Sequence, residues 1–251
     1  MAKEAGRDVS HDQTRDQTRI HGDPSLELVL ELAAPGVGDR VIDVGTTVGT
    51  TAFALAGAVA SVLAVDNRKD TIDEALRLSR EIGAENVGFA MANLYALPFA
   101  DGAFTLATCR NALHRFPEPV AALREMARVI APGGRLVVYD LLVDAELDKP
   151  LNELARLSDP SHRRYATRDE FIEQFTKAGL AVAHERRLRR TVDLAYWLEA
   201  AAVDTSRADL IRTRLQEFPL KVQTALDLAV ADDLVSFSYD DIGFRLEHAA
   251  E

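Results

Sequence analysis

The stretch VIDVGTTVGTTAFALA, residues 41–56, decides how the chain folds. An apolar-rich lead runs into Asp43, Gly45 and Gly49 frame a tight turn, and small residues suited to a close-packed helix follow. Strand, glycine bend and helix make the opening unit of a doubly wound sheet. In such sheets ligands bind beyond the carboxyl ends of the strands, which is where the bend lies. Glycine reaches positive φ without strain and lets backbone amides approach a ligand closely. Taken alone the bend says little, because glycine-rich strand-to-helix turns are common.

On either side the pattern repeats. DPSLELVLELAA (23–34) begins with an Asp-Pro-Ser helix start, carries leucines at helical spacing and ends at PGVGD; a strand follows at 40–44. Helices are expected over 49–59, 70–82 and 119–130, and strands over 62–66, 87–91, 104–109 and 135–142, the last entered through a turn at APGG. Strands alternating with helices imply an α/β fold, with right-handed crossovers and a mainly parallel sheet covered on both faces. Beyond 143 the pattern loosens. RDEFIEQFTKAGL (168–180) reads as a helix stopping at Gly179, with Thr167 and Glu170 placed for a capping box. LAVAHERR reads as a strand, 193–230 as helical, and LVSFSYDDIGFRLEHA as closing strand sequence. Residues 1–19, with their DQTRDQTR tandem, read as a polar tail.

A formal net charge of −11 argues against general attraction to nucleic acid or anionic membrane. The basic run HERRLRR (184–190) is read as a solvated edge strand carrying charges that deter pairing. One cysteine, Cys109, allows no intrachain disulfide and fits a reducing cytoplasm; set in an apolar strand, it reads as a small buried hydrophobe. There is no apolar signal segment and no run long enough to span a bilayer, so a cytoplasmic location is expected. No Cys/His cluster has metal-ligand spacing, so no metal is expected.

Asp66 ends the second strand about 20 residues beyond Gly45, where an acidic side chain accepts both ribose hydroxyls; the competing reading is a cap on the next helix, with Asn67 and Asp70 nearby. A dinucleotide needs a fuller glycine set for its pyrophosphate than this bend offers. S-adenosylmethionine has ribose and adenine but no phosphate, and Asp43 suits its ammonium group.

VIDVGTTVGTTAFALA, VLAVDNRKDTIDEA, NLYALPFADGAFTLATCRNALHRFPEPVAALREMARVIAPGGRLVVYD and DPSHRRYATRDEFIEQFTKAGL come in one order across roughly residues 25–185. Together they resemble the class I S-adenosylmethionine-dependent methyltransferases, in the small-molecule branch that includes the ubiquinone/menaquinone-biosynthesis type. The resemblance implies a Rossmann-like, mainly parallel sheet with an antiparallel strand near the C-terminus. It implies one domain over 1–251: a polar segment to 24, a cofactor-binding core over 25–143, and acceptor-side helices and closing strands over 144–251. Asp43, Gly45, Thr46, Thr47 and Gly49 would surround the methionine moiety, Asp66 would hold the ribose with Asn67 beside the adenine, and Met91, Ala92, Asn93 and Leu94 would border the adenine. Arg110 would sit close to the cofactor, and Asn111 and His114 would face the transferred methyl.

Two positions depart from the family. Thr47 stands where it usually has Gly, and Asn93 where it usually has Asp. A β-branched residue at positive φ is strained, so Thr47 is expected either to take an ordinary backbone conformation or to push its side chain toward the cofactor's tail. The Asn93 amide oxygen can still accept from the adenine amino group. Weakened but surviving cofactor binding is the expectation.

Methyl transfer is an in-line displacement in which the protein aligns the acceptor and excludes water; a base is needed only where the acceptor loses a proton. His114 is the candidate catalytic base, against a packing role under the sheet edge. Arg115 is read as contacting an anionic acceptor or solvating its loop, and Asp140 as a cap or an orienter of a neighbour. His162, Arg163 and Tyr165 fall where the family places acceptor contacts; Tyr196 and Trp197 are read first as packing residues. The expected partner is a small-molecule substrate in a cofactor or secondary-metabolite pathway, with a homodimer left open. The competing readings keep the fold and change the chemistry, to a non-methylating isomerisation, cyclisation or elimination, or to binding alone.

Overall fold

The computed structural model describes residues 22–231 and 234–250, so the expected polar tail lies outside the described residues. The elements, in chain order, are α1 (Pro24–Ala33), β1 (Arg40–Val44), α2 (Thr50–Ala56), β2 (Ser61–Asp66), α3 (Lys69–Ile82), β3 (Val87–Met91) and β4 (Phe104–Arg110). A short 3-10 turn (Leu113–Arg115) leads to α4 (Pro119–Val129), β5 (Ile130–Leu142), α5 (Asp148–Ser158), α6 (Arg168–Lys177) and β6 (Leu180–Asp193). The chain closes through α7 (Leu194–Ala200), α8 (Thr205–Glu217), α9 (Leu220–Ala225), β7 (Ala229–Ala231) and β8 (Leu234–His248).

The sheet runs β3-β2-β1-β4-β5-β8-β6, with β7 paired to β8. Strands β1 to β5 are mutually parallel, and β8 is antiparallel to β5, β6 and β7. Strand order reverses between β1 and β4, so the carboxyl ends of these two strands, at Asp43 and Arg110, flank the crevice where doubly wound sheets take ligands. The α/β class and the mainly parallel sheet agree with the sequence.

Three details differ from the expected elements. The APGG turn is instead a bulge inside β5: Phe104 pairs with Ile130 and Leu106 with Arg135, so the strand absorbs the extra residues without leaving the sheet. Residues 148–158, unassigned in the sequence, form α5, which buries Leu151, Leu154 and Ala155. The helical expectation for 193–230 holds only to Ala225, after which β7 pairs with the start of β8 as a hairpin.

β6 is an edge strand, as the basic run suggested. Arg186 is paired with Glu31 and Arg189 with Asp227 and Asp240 at the surface, while Arg190 meets the buried Asp241. Among the described residues no helix is long and apolar enough to cross a membrane.

Two apolar layers cover the sheet around β1 and β4. Val29, Val41, Leu55, Val137 and Tyr139 belong to one, and Ile42, Cys109, Leu123, Met126 and Val138 to the other. A third cluster, with Leu151, Leu198, Leu215, Phe237 and Tyr239, packs the later helices onto the far end of β8. Trp197 joins that cluster edge-on to Phe237, whereas Tyr196 is 60% exposed and does not pack as expected.

Pairing of β5 with β8 also buries a polar contact: the Tyr139 hydroxyl donates to Asp241 Oδ2 at 2.6 Å. Burial drives the Asp241 carboxyl up to about 6, against the opposing pull of Tyr139 and Arg190. A carboxyl that holds its proton more tightly when folded lends stability that is complete below about pH 4 and is lost as pH rises through about 6. Asp241→Asn is therefore expected to melt above the wild type at pH 8, with the gap closing toward pH 5 in scanning calorimetry. An equal gap at both pH values would contradict this.

Candidate active site

The glycine bend is fixed from below by β2. The backbone N–H groups of Gly45 and Thr46 both donate to Val65 O, at 2.9 and 3.1 Å, which turns the chain sharply as it leaves β1. Gly45 has φ +74, and a Cβ there would lie 2.7 Å from the Ala112 Cβ; Gly49 has φ +89 and presses against the Phe89 and Phe53 rings. Both positions thus need glycine twice over, for conformation and for space.

Thr47 corrects the first of the two alternatives drawn from the sequence: it does not take an ordinary backbone conformation but adopts positive φ, +54, on the lining of the cleft over the bend. The Thr47 N–H donates to Asp66 Oδ2 at 3.1 Å, while its hydroxyl turns back toward Gly45 O at 3.4 Å. The strained residue is held by the acid at the end of β2. Relieving a non-glycine αL conformation is worth about 1 kcal/mol. Thr47→Gly should therefore tighten binding of S-adenosylhomocysteine and raise the melting temperature, read by calorimetry on the same samples. A loss in both would show that the threonine side chain itself supports the bend.

Asp66 is 6% exposed, and its other oxygen, Oδ1, accepts the Arg68 N–H at 3.0 Å. It does not cap α3, whose N-cap is Arg68 and carries no side-chain cap; the bond lies ahead of the helix, and each carboxylate oxygen keeps a second lone pair. The Ala92 N–H donates to Asp66 O at 2.9 Å, bringing the end of β3 alongside; Ala92 and Leu94 are buried, and Asn67 and Asn93 are exposed. Asn93 Oδ1 accepts the Tyr95 N–H at 3.0 Å, so part of its accepting capacity goes to its own turn.

Over the bend lies a cleft of about 220 Å³, lined by Asp43, Gly45, Thr46 and Thr47 on one side and by Arg110, Asn111 and Arg115 on the other. Asp43 is buried, and its Oδ1 accepts the Thr108 hydroxyl at 2.6 Å. Its Oδ2 and the Thr46 hydroxyl are buried without a hydrogen-bond partner among the described residues. Burial pushes the Asp43 carboxyl up, opposed by the Thr108 hydroxyl it accepts from and by the Arg110 charge. Arg110 donates from Nε to the Thr51 hydroxyl at 3.0 Å, and from a terminal nitrogen to Ser25 Oγ at 3.0 Å and Asp23 Oδ2 at 3.3 Å. It thereby ties the start of α1 to the cleft. Asp23 also caps α1, its Oδ1 accepting the Ser25 N–H; the sequence announced the cap and gave no sign of the arginine.

Arg115 does not simply solvate its loop. It donates to Asp159 Oδ2 at 2.8 Å and to Asn111 O at 2.9 Å, and so braces Asn111, which itself sits at φ +51. The structure brings Asn111 to this cleft with the bend residues.

A second group forms beside it. His114 is buried, and its Nδ1–H donates to Asp140 Oδ1 at 2.7 Å while its backbone N–H donates to Asp140 Oδ2 at 3.0 Å. Burial works to raise the Asp140 carboxyl, but the His114 contacts and the Leu141 N–H outweigh it and hold the carboxyl below its usual range. Asp140 thus fixes the imidazole, the orienting role among those considered from sequence. The His162 ring centroid is 5.4 Å from that of His114, and the Tyr165 ring touches both, at 5.0 and 4.4 Å. Arg163 belongs to this group only through its backbone, whose N–H donates to His114 O; its side chain is exposed. Asn152 on α5, which sequence reasoning missed, organises His162 and Tyr165 by accepting from both. The Thr167–Glu170 capping box is present at the start of α6.

A model of the methyltransferase domain family matches residues 36–194. The chain is 31% identical over 192 residues to the methyltransferase YcgJ of Bacillus subtilis (strain 168), covering 76% of each protein. The YcgJ crystal structure superposes with a TM-score of 0.84, over 90% of this chain and 99% of that one.

The chain is a class I S-adenosylmethionine-dependent methyltransferase.

The methyltransferase is also 32% identical over 132 residues to a demethylmenaquinone methyltransferase of Clavibacter sepedonicus, covering 52% of this chain and 53% of that one. Its fold is shared with BH2331 of Bacillus halodurans C-125, at 24% identity and a TM-score of 0.83, over 90% and 99% of the two chains.

The cofactor of the methyltransferase is S-adenosylmethionine, and its residues suit that molecule. A buried carboxylate oxygen with no partner, Asp43 Oδ2, would suit a cation such as the ammonium of the methionine tail, and the Arg110 guanidinium, which lines the same cleft, would suit its carboxylate. Asp66 would take the ribose hydroxyls through its remaining lone pairs.

Proposed function

We propose that this methyltransferase methylates a small organic acceptor of a cofactor or secondary-metabolite pathway at an ionisable oxygen, with His114 as general base. The His114–Asp140 pair carries the proposal. Because Nδ1–H is committed to the carboxylate, the lone pair of the neutral ring lies on Nε2, which has no partner among the described residues. A base so oriented takes the acceptor's hydroxyl proton at Nε2, and the charge that develops on the imidazole is matched by Asp140. S-adenosylmethionine, when bound, supplies an electrophilic methyl carbon on a sulfonium. With that donor bound, the acceptor oxygen would take the methyl group as the carbon–sulfur bond gave way, leaving its electron pair on the sulfur of S-adenosylhomocysteine. Asp43, Arg110 and Asp66 position the donor, and the apolar layer of the third cluster excludes water from the approach.

In this reading residues 25–143 hold the cofactor and 144–251 shape the acceptor side of one domain. The net charge of −11 and the paired arginines of β6 support a small-molecule acceptor over nucleic acid. The buried Cys109 thiol, pushed up by burial, fits a reducing cytoplasm. The test uses S-adenosylmethionine carrying a deuterated methyl group, a panel of phenols and enols, and mass spectrometry. A labelled ether with one equivalent of S-adenosylhomocysteine is expected. Turnover of the acceptor without label would instead favour a non-methylating reaction on this fold.

A further inference from the structure

The carboxylate of Asp23 is the hub of a network wider than a helix cap requires. Its Oδ1 accepts the Ser25 N–H at 2.9 Å and the Ser25 hydroxyl at 2.7 Å, and its Oδ2 accepts from Arg110 Nη1 at 3.3 Å. The Ser25 hydroxyl gives its only proton to Asp23, so its oxygen is left to accept from Arg110 Nη1 at 3.0 Å. Arg110 Nε–H goes to the Thr51 hydroxyl on α2 at 3.0 Å. Ser25 and Thr51 are buried, and the Arg110 side chain is 14% exposed. Three of the five guanidinium N–H groups are thus held by the starts of two helices, which fixes its plane. The two on Nη2 have no partner among the described residues, and Arg110 lines the cleft.

The other end of α1 is fastened as well. Arg135 of β5 donates to Ala33 O and Ala34 O and pairs with Asp39. Asp39 precedes β1, and Arg135 pairs with Leu106 near the start of β4, so this anchor lies at the amino ends of the strands, away from the cleft. Only the anchor at Arg110 stands where a ligand can feel it. A freely rotating arginine loses side-chain freedom when it grips a ligand; one already fixed by its neighbours does not. The donors of a guanidinium point along separate edges, so one arginine can hold two carboxylates at once.

We propose that Asp23 is a positioning residue for the cofactor: with Ser25 it fixes Arg110 so that Nη2 meets the methionine carboxylate. The first turn of α1 thereby becomes part of how the cofactor is recognised. The proposal rests on the reading of Arg110 as the partner of that carboxylate, and adds to it what sets the arginine in place. Coupling between two contacts is reciprocal, so a bound carboxylate steadies the first turn of α1 in return.

The test compares S-adenosylhomocysteine with 5′-methylthioadenosine, in which a methyl group replaces the amino-acid tail, by isothermal titration of the full chain. Asp23→Ser keeps a side chain that caps α1 and removes the carboxylate from Arg110. It should weaken S-adenosylhomocysteine about three- to tenfold, the range for immobilising one long side chain, and leave 5′-methylthioadenosine unchanged. Unchanged or tighter S-adenosylhomocysteine binding, or both ligands weakened alike, would overturn the proposal. Asp23 would then be a cap alone, a competitor for Arg110, or a general support of the fold. Amide exchange on the wild type gives an answer that needs no variant. The Ser25, Leu26 and Glu27 N–H groups all bond to Asp23 and should exchange more slowly with S-adenosylhomocysteine than with 5′-methylthioadenosine bound. Equal protection by the two ligands would again overturn the proposal. Arg110→Met tests the reading beneath it. If that variant kept the wild-type preference for S-adenosylhomocysteine, the carboxylate reading would fail and the proposal with it; a lost preference beside a silent Asp23→Ser would sink the proposal alone.

Discussion

His114→Asn is expected to lower kcat by about two to four orders of magnitude while leaving the affinity for S-adenosylhomocysteine unchanged. Asparagine places its amide nitrogen near the position of the imidazole Nδ1. It can still donate to Asp140 Oδ1, so the buried carboxylate keeps its partner and the fold is spared an unpaired charge. What disappears is the Nε2 lone pair. The backbone contacts of residue 114, to Asp140 Oδ2 and from the Arg163 N–H, do not depend on the side chain. Asp140→Asn should fall in the same direction for another reason. Asp140 accepts three N–H groups, two from His114 and one from Leu141, and an amide with one oxygen cannot serve them all. With the amide nitrogen toward the ring, the imidazole must carry its proton on Nε2 and loses its accepting lone pair. Steady-state kinetics with a turned-over acceptor read both variants, and a threefold or smaller fall in kcat for His114→Asn would remove histidine from the chemistry.

The second large effect concerns the cofactor. Asp66→Ala should weaken S-adenosylhomocysteine binding by about 100-fold or more, since two hydrogen bonds to a charged acceptor are each worth roughly 1.5–3 kcal/mol. The loss has two parts. The ribose hydroxyls lose their acceptor, and the Thr47 N–H loses the contact that holds the bend at positive φ. Asp66→Asn does not separate them. Both carboxylate oxygens accept backbone N–H groups, so either amide orientation sets a donor against a donor. A variant that bound the cofactor as tightly as the wild type would show that the end of β2 has no part in holding it.

The fold was legible because its signals are local. The apolar strand before Asp43, the glycines at 45 and 49 and the regular alternation to Leu142 each follow from backbone conformation and burial. Residues of the bend and the end of β2 were legible for the same reason. The conformation of Thr47 was not, because its strain is balanced by a hydrogen bond to a residue on another strand. The partners of Arg110 and Arg115 escaped similarly: Asp23 and Asp159 are distant in sequence, and arginine pairing leaves no periodic trace. Asn152 had no signal of its own, and the helix that carries it went unassigned in the sequence although leucines at 147, 151 and 154 bury one of its faces. Asp140 was visible as an acid at a strand end, but its grip on His114 depends on how β5 sits beside β4.

All of this rests on the proposal that the cleft above the bend, lined by Asp43 and Arg110 with Asp66 holding Thr47 at its edge, takes the adenosyl cofactor. Isothermal titration of the wild-type chain with S-adenosylhomocysteine tests it most directly. A one-to-one isotherm with a raised melting temperature, both abolished in Asp66→Ala at the same ligand concentrations, is the predicted result. No heat and no thermal stabilisation at millimolar ligand would contradict it.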